Sequence, residues 1–321
     1  SGKPQLTLES VDAVVSWQSL LAMEIRLACL QVNHPDLHIR RDAQGRFHIA
    51  GILIDPDDKK DSGFSEWLMK QSAIVVTDGK VHWQDDIRKG IALDIRDIAG
   101  SLENSGADHD FTIRAKPDLP GTETLEMKGS FTMPSGKKEP DAVSVAVDRL
   151  DVDTLSALIP FLPVDDSLYR RLQGYQFAGK LADIAVEWHR QDASAWSVKG
   201  SFDNLVAREK ADVKLMENDR LWPSGLGVVG LTGKVSANAQ GGSLSLDSTQ
   251  TAILLPAYPA GKPQTFDELK AELAWTQSET DGLVLDIQEM TFRQKAVTGR
   301  VSGQYTRNPA SGNGGAGSLA L

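Results

Sequence analysis

The residues best suited to bind a metal ion in this sequence are its histidines, and their spacing does not support a metal site. His34 and His38 lie four residues apart in HPDLH, and His48 follows downstream. Pro35 and the alternating pattern around it argue against a helix that would put both imidazoles on one side. No HExxH or CxxC motif supplies further zinc ligands. We therefore predict that these histidines lie in turns or edge strands and that no metal is bound.

Three pairs of neighbouring acids are candidates for glycoside hydrolysis, which requires two carboxylates facing one sugar. The pairs are Asp57 and Asp58, Asp85 and Asp86, and Asp165 and Asp166. Neighbouring residues on a strand point to opposite faces of the sheet, and these pairs fall in predicted turns or helix starts. We interpret them as solvated turn acids.

Two short stretches imitate nucleotide-binding and acyl-transfer motifs. GLGVVG, from Gly225 to Gly230, matches G-x-G-x-x-G, but a dinucleotide site needs a strand before it and a helix after it. Here WPS precedes the stretch, and the alternating sequence LTGKVSANA follows it. Ser135 and Lys138 match S-x-x-K in a hairpin rich in Gly and Pro, without the SDN or KTG partner motifs. We predict no enzyme activity and no cofactor.

The composition restricts the classes of partner. The formal net charge is -10 at pH 7, and the acidic residues are spread along the chain. Nucleic acids and anionic membrane surfaces both select for clustered Lys and Arg, so both are disfavoured as partners. The single cysteine, Cys29, is expected to be buried in its apolar context. No apolar run reaches the roughly 18 residues needed to span a bilayer, and both ends resemble cuts in a longer protein.

Apolar and polar residues alternate with a period of two along most of the chain. The alternation occurs in the segments 125–133, 143–150, 184–188, 196–202, 231–237, 269–275, 283–287 and 297–305. Turn-forming sequences lie between the runs: DAQG, TDGK, NSGAD, PSGKKEP, RQDAS, NAQGG and SETDG. This pattern is typical of antiparallel strands that join as hairpins and carry one apolar and one polar face. No regular β–α–β alternation appears.

Helical patterns are short. SGFSEWLMKQS predicts a helix near residues 63–71. DVDTLSALIPFLP predicts a helix with Asp153 as N-cap, and DDSLYRRLQG predicts one that starts at Asp165 or Asp166 and stops at Gly174.

The two later helices divide the chain. We predict an N-terminal β segment over 1–152, which includes the helix near 63–71. A helical seam over 153–175 and a C-terminal β segment over 176–321 follow it.

Three stretches, in this order, are similar to a known family. They are FSEWLMKQSAIVVTDGKVHWQDDIR, then SLENSGADHDFTIRAKPDLP, and then KGSFDNLVA with LWPSGLGVVGLTGKVSANAQGGSLSLDSTQTAILLP. Together they resemble the short helix, the Trp-bearing strand and the Gly-rich strands of the YhdP group of AsmA-like envelope proteins, over about residues 60–310. The resemblance implies a mainly β fold with a few short helices, in which an elongated, twisted antiparallel sheet curls into a groove (a β-taco or repeating β-groove).

The resemblance also implies a function and a location. The YhdP group belongs to the bridge-like lipid-transfer class, so we expect a periplasmic segment of a protein anchored in the inner membrane by a transmembrane helix absent from this chain. Its expected partner is phospholipid or another acyl-chain lipid, carried between the inner and outer membranes. The residues expected to line the groove are Val81, Trp83, Phe111, Ile113, Ile184, Val186, Trp188, Val235, Leu244, Leu246, Leu273, Trp275, Leu283, Leu285 and Val301.

The same alternation also fits a structural or adhesive β-solenoid or β-sandwich segment with a closed core and no ligand. The alternating apolar face contains several glycines, among them Gly200, Gly233 and Gly299. They favour either free space for a ligand or local twisting and bulging of the strands. Trp residues that end alternating strands, such as Trp83 and Trp275, either cap the sheet core at a hairpin end or line an apolar site.

Overall fold

The computed structural model describes residues 6–17, 19, 25–50, 52–54, 64–88, 91–134, 137, 139–162, 164–190, 195–213, 215–216, 220–221, 225–255, 263–278, 282–307 and 316–320. In this part of the chain the fold is mainly β, as predicted, with nineteen strands and three short α-helices. The chain forms two compact units, Ser1–Val145 and Ala146–Leu321.

Unit 1 contains β1 (Leu6–Thr7), β2 (Ser10–Val15), β3 (Leu27–Asn33), β4 (Asp36–Arg41), β5 (Phe47–Ile49), β6 (Ile52–Ile54), α1 (Phe64–Met69), β7 (Ala73–Asp85), β8 (Ile91–Ser105), β9 (Asp108–Pro117) and β10 (Leu125–Thr132). The strand β11 (Ala142–Asp151) spans the boundary in sequence. Unit 2 contains α2 (Val152–Leu158), a 3₁₀ turn (Ile159–Phe161), α3 (Asp166–Gln173), β12 (Tyr175–His189), β13 (Trp196–Glu209), β14 (Gly227–Asn238), β15 (Gly241–Leu254), β16 (Gln264–Ser278), β17 (Gly282–Gln294), β18 (Val297–Arg307) and β19 (Ala316–Ala320).

The sheet of unit 1 is mostly antiparallel, as predicted, but two of its pairings are parallel. Strands β7 to β10 pair antiparallel with their neighbours, but β3 and β4 both run parallel to β7. Leu30 pairs with Ile74 and Asp36 pairs with Lys80, so β3 and β4 form one line along β7. Parallel pairing needs a long crossover connection. The chain between β4 and β7, which includes α1, provides that length.

The sequence TDGK, predicted to be a turn, lies inside β7 instead. Asp78 has φ +50° and forms a bulge, at which the pairing register with β8 shifts between Val76 and Gly79. Asp tolerates the left-handed region, so the same Asp-Gly pair that favours a hairpin turn also favours a bulge. On β8, Asp97 at φ +54° forms a second bulge. The bulges bend the strands and keep the apolar residues on one face on either side of the bend.

Buried polar groups close the end of unit 1 next to α1. The Gln71 side chain is fully buried, and its Oε1 accepts a hydrogen bond from the Leu27 N–H at 2.8 Å. Asn104 donates to the Gln71 carbonyl at 2.6 Å, and its Oδ1 lies 2.6 Å from Nδ1 of the buried His109. The His109 ring stacks on Phe131 at 4.6 Å. These contacts fix the end of the apolar face because each buried polar group has a partner.

In unit 2, β12 to β19 form an antiparallel meander in which each strand pairs with the next. A line of left-handed residues crosses four of these strands: Gly179, Asn204, Gly230 and Gln250, with φ of +114°, +51°, +76° and +52°. They lie side by side, since a Cβ on Gly230 would be 3.2 Å from the Gln250 carbonyl oxygen and 3.4 Å from Asn204 Oδ1. Gly and Asn adopt this conformation at low cost, and bulges bend the strand that carries them.

Two buried hydroxyl groups satisfy backbone groups that the bend removes from the ladder. The register of β14 and β15 shifts between Val229 and Gly233. There the Thr232 N–H donates to Ser248 Oγ at 2.9 Å, and that hydroxyl donates to the Thr232 carbonyl at 3.0 Å. Thr251 Oγ1 donates to the Val229 carbonyl at 2.8 Å. Because both hydroxyls are buried, they replace the missing cross-strand bonds without help from solvent.

The helix caps differ in part from those predicted. Asp151, not Asp153, caps α2, since its side chain accepts a hydrogen bond from Thr154 N–H at 2.7 Å. The Asp153 carboxylate instead accepts from the Gly179 N–H at 3.3 Å, which ties α2 to β12. No helix in the described part of the chain is long and apolar enough to span a membrane.

Asp165 caps α3, as predicted. The backbone N–H of Leu168, together with that of Ser167, holds the pKa of the Asp165 carboxyl below its ordinary value. Helix α3 stops at Gly174, also as predicted, but with φ −72°. Glycine lets the Leu215 side chain pack directly against this position, where a Cβ would force that side chain to move.

We predict that Ser248→Ala destabilises the chain by about 1–3 kcal/mol, because it removes the buried hydroxyl that pairs with both the Thr232 N–H and the Thr232 carbonyl. Denaturant unfolding measures the loss. Ser243→Ala, at an exposed position on the same strand, is the control and should stay within about 0.5 kcal/mol of wild type. Equal effects of the two substitutions would show that the hydroxyl does not support the bend.

Candidate ligand-binding surface

The strand register of unit 2 aligns apolar residues into rows that run across the sheet on one face. Three rows are defined by directly paired residues. The outer row is Val186, Val198, Ala237, Gly242, Trp275, Leu285 and Tyr305; the middle row is Gly200, Val235, Leu244, Leu273, Ile287 and Gly303; the inner row is Leu181, Phe202, Gly233, Leu246, Ala271, Met290 and Val301. Paired side chains on one face contact each other, so each row is a continuous apolar strip.

Burial decreases from the inner row to the outer row. In the inner row, Phe202, Leu246, Ala271 and Val301 are buried, and next to it Leu269 is only 1% exposed. The middle-row side chains are half-buried. In the outer row, Val186 is 40% and Tyr305 37% exposed. The other outer-row residues are half-buried like the middle row. The face is therefore packed at its inner side and most accessible at the two ends of its outer row.

The inner side leads to the helices of unit 2. Tyr175 at the start of β12 is 1% exposed, and its hydroxyl accepts a hydrogen bond from the Leu221 N–H at 3.0 Å. Helix α2 contacts β12 there, and Ser156 Oγ donates to the Phe177 carbonyl at 3.0 Å. These contacts close one end of the apolar face, while the outer row approaches the hairpins at the other end.

Aromatic rings fill the space beside the glycines of the face. Phe202 is paired with Gly233, and a Cβ on that glycine would lie 2.9 Å from the ring. The same arrangement recurs at the pairs Trp275–Gly242 and Phe292–Gly299, and in unit 1 at Phe111–Gly129. The prediction of free space beneath large neighbours is therefore wrong at Gly233 and Gly299, because the opposite ring occupies it.

All eleven groove residues predicted in unit 2 lie on this one face, by their register. Val186, Trp275 and Leu285 lie in the outer row. Val235, Leu244 and Leu273 lie in the middle row, and Leu246 and Val301 lie buried in the inner row. Ile184, Trp188 and Leu283 flank these rows on β12 and β17.

The four groove residues predicted in unit 1 also share one face of its sheet. Val81 and Trp83 lie on β7, and Phe111 and Ile113 lie on β9. One row there runs through Val11, Val32, Val76, Gly100, Ile113 and Met127. Ile113 is 43% exposed at this surface.

The sequence prediction missed residues that carry the packed part of the face. Leu269, Phe266 and Phe292 surround the inner row, and the rings of the two phenylalanines meet edge to face at 5.8 Å. Leu269 belonged to a predicted alternating strand, which was the available signal. The burial of each residue in that strand depends on its cross-strand partner, which for Leu269 is Phe292. The local sequence pattern does not reveal that partner.

The stretch that imitates a nucleotide-binding motif is part of a strand. GLGVVG runs directly into β14, not into a helix. Asp57, Asp58, Ser135 and Lys138 lie outside the described residues.

One of the acid pairs differs from the prediction of solvated turn acids. Asp85 is fully buried, with Arg41 Nη1 3.4 Å from its Oδ2. The Asp86 carboxylate points elsewhere and pairs with Arg40, whose hydrogen bond holds the pKa of Asp86 below its ordinary value. The two carboxylates therefore have separate guanidinium partners and do not face a common substrate position.

Comparison with known protein families matches residues 118–321 to the family described as YhdP protein. The match covers the whole of unit 2 and begins near the end of β9. Most of the two N-terminal stretches in which the sequence resembles that group precede the matched range. No curated protein and no solved structure matches the chain.

We predict that Gly233→Ala destabilises the chain by about 1–3 kcal/mol, because a Cβ there overlaps the Ser245 carbonyl oxygen and crowds the Phe202 ring. Gly200→Ala is the matched control, since its Cβ would meet no atom closer than 3.5 Å. We expect the control to be neutral or stabilising by up to about 1 kcal/mol. Thermal unfolding of both variants distinguishes the two sites. A Gly233→Ala protein as stable as Gly200→Ala would contradict the ring-on-glycine packing.

Proposed function

Since the chain belongs to the YhdP protein family, we propose that its uncovered apolar sheet faces shelter the acyl chains of phospholipid in the periplasm of a bacterial envelope. The segment would be part of a lipid-transfer protein that is anchored in the inner membrane through sequence outside this chain. Its role in this proposal is binding and conduction, without bond-making chemistry.

The observation that supports the proposal best is the accessible outer side of the apolar face in unit 2. Among the described residues, twenty-two large hydrophobic side chains are exposed, whereas eleven hydrophobic residues are buried. In unit 2 the exposed ones include Val186 and Tyr305 at the two ends of the outer row, and Trp196, which lies near Val186 on the neighbouring strand. Contiguous exposed apolar surface in a protein marks a binding site for an apolar ligand or partner.

The energetics favour such a surface for lipid. Exposing an acyl chain to water costs about 0.8 kcal/mol per methylene, so a chain of about 16 carbons costs on the order of 12 kcal/mol. A sheet that presents continuous apolar rows removes much of this cost for a chain that lies across the strands. No bond has to be made or broken, which fits a face built of Leu, Val, Trp and Gly.

The opposite face suits an aqueous compartment. Along β16, Glu272 and Lys270 alternate with Leu273 and Ala271, and both charged residues are exposed. Lys270 pairs with Asp247 across the strand at 3.1 Å. A sheet with one charged and one apolar face is stable only if water meets the first face and apolar material meets the second.

A structural segment with a self-filled interior is the second candidate function. The packed inner side supports it, because Leu269, Leu246 and Ala271 are buried by protein atoms alone. In that case the outer row would be an exposed margin of the core and would not hold ligand. The two candidates therefore differ in what the outer row contacts.

We predict that Leu285→Asp lowers phospholipid capture at least about tenfold, because it puts a carboxylate in the outer row between Trp275 and Tyr305. The matched control is Val284→Asp on the same strand, since Val284 is half-buried on the opposite face between Thr276 and Thr306. The control should capture lipid like wild type. The measurement is native mass spectrometry after incubation with vesicles of phosphatidylethanolamine and phosphatidylglycerol.

Unfolding free energies of the two variants are needed to interpret the result. The lipid-binding proposal expects similar stabilities and different lipid loads. If Leu285→Asp loses stability while wild type and Val284→Asp both carry no lipid, the self-filled structural segment is the better account.

A further inference from the structure

The polar face of unit 1 brings two side chains of β4, Asp36 and His38, together with His82 of the distant strand β7. Asp36 and His38 are two residues apart on β4 and so lie on the same face. In the parallel register of β4 and β7, His82 pairs directly with His38. The two imidazole rings stack with centroids 4.5 Å apart and planes 21° apart.

The donor atoms of this group converge. Asp36 Oδ1 lies 3.1 Å from His82 Nε2 and 3.9 Å from His38 Nε2, and one ligand atom of each residue lies within 4.8 Å of the others. Around a tetrahedral ion with bonds of about 2.0–2.1 Å, ligand atoms are about 3.3 Å apart. The separation of Asp36 Oδ1 from His82 Nε2 already matches a coordination sphere, and that from His38 Nε2 is about half an ångström too long. All three side chains are between one-third and one-half exposed, so small rotations can complete the geometry.

His82 has a carboxylate at each ring nitrogen. Its Nδ1 lies 2.7 Å from Asp94 Oδ1, while its Nε2 faces Asp36 at 3.1 Å. A neutral imidazole has one N–H, so one of these nitrogens directs a lone pair at a carboxylate unless a cation lies between them. Asp36 Oδ1 is buried and has no hydrogen-bond partner among the described residues. A cation between Asp36 and His82 satisfies both atoms.

We propose that Asp36, His38 and His82 bind a divalent transition-metal ion of the Zn²⁺ class, with Asp94 as a positioning residue. Two imidazoles and a carboxylate are a ligand set that Zn²⁺ accepts, with a water completing four-coordination. Asp94 accepts the Nδ1–H of His82 and so presents Nε2 to the ion, the arrangement that orients most metal-bound histidines. The ion joins β4 to β7 at the parallel junction of unit 1 and stabilises it.

The competing account of the same geometry is an ion pair in which His82 carries a second proton. That account requires a positive ring stacked on His38 and needs no metal. It is an outcome of the experiment below, since a protonated His82 repels a metal ion and does not bind it.

The experiment titrates Zn²⁺ into the 321-residue chain, free of any affinity tag, by isothermal titration calorimetry. We expect one equivalent to bind and the melting temperature to rise with Zn²⁺ concentration, as for any ligand of the native state. Asp36→Asn and His82→Gln should abolish this equivalent. Asp94→Asn should weaken it about 10–100-fold.

His189→Gln is the matched control, because this exposed histidine lies on β12 of unit 2, far in sequence from the three ligands. It should bind Zn²⁺ like wild type. Asp36→Asn preserves the shape of the side chain, so we expect the far-ultraviolet circular dichroism of this variant to match that of wild type. A matching spectrum shows that the loss of Zn²⁺ binding is not caused by misfolding. The visible absorption of bound Co²⁺, present in wild type and absent in His82→Gln, gives an independent readout. A wild-type chain without a stoichiometric Zn²⁺ site, or a His82→Gln chain that keeps it, overturns the proposal.

Discussion

The constraint on which unit 2 depends is that, in the part of the chain that the structure describes, each of the strands β12 to β19 pairs with its neighbours in sequence to form a single layer. In a single layer, apolar side chains are buried by lateral contact with neighbours on the same face. The cross-strand rows follow from this constraint, and so do the rings laid over glycines such as Gly233 and Gly299. Lateral contact buries the middle of a face better than its margin, which produces the gradient from Leu269 to Val186.

The bends in the strands follow from the same single-layer arrangement. A long strand must curve if its apolar face is to shelter anything, and curvature interrupts the hydrogen-bond ladder. In unit 2 the interruption is concentrated at Gly179, Asn204, Gly230 and Gln250, with buried hydroxyls as substitute partners. In unit 1, Asp78 and Asp97 have the corresponding left-handed conformation. Curvature and stability are coupled here, because the bends leave backbone groups that the buried hydroxyls must satisfy.

Much of this architecture was predictable from local pattern, and the exceptions have physical causes. Period-two alternation located strands such as β10, β13 and β18, because it reports a face that must be apolar. The turn predicted at TDGK was wrong, since Asp78 and Gly79 carry the same left-handed preference in a bulge as in a hairpin. The parallel pairing of β4 with β7 joins residues 44 positions apart, such as His38 and His82, and local sequence does not encode that partner. For the same reason the sequence places His38 near His34 and His48 and gives no sign that it lies beside Asp36 and His82.

The sequence predicts which residues share the candidate surface, but it does not predict how deeply each of them is buried. Alternation placed Leu246 and Leu285 on one face, but only the register shows that Leu246 lies in the buried inner row and that Leu285 lies half-buried in the outer row. The central claim is that acyl chains contact this outer row. Photo-crosslinking from a diazirine amino acid at Tyr305, compared with Thr306 on the opposite face, tests it directly in the presence of phospholipid vesicles. The account predicts lipid adducts at Tyr305 and none at Thr306; adducts of equal yield at both positions, or at neither, would contradict it.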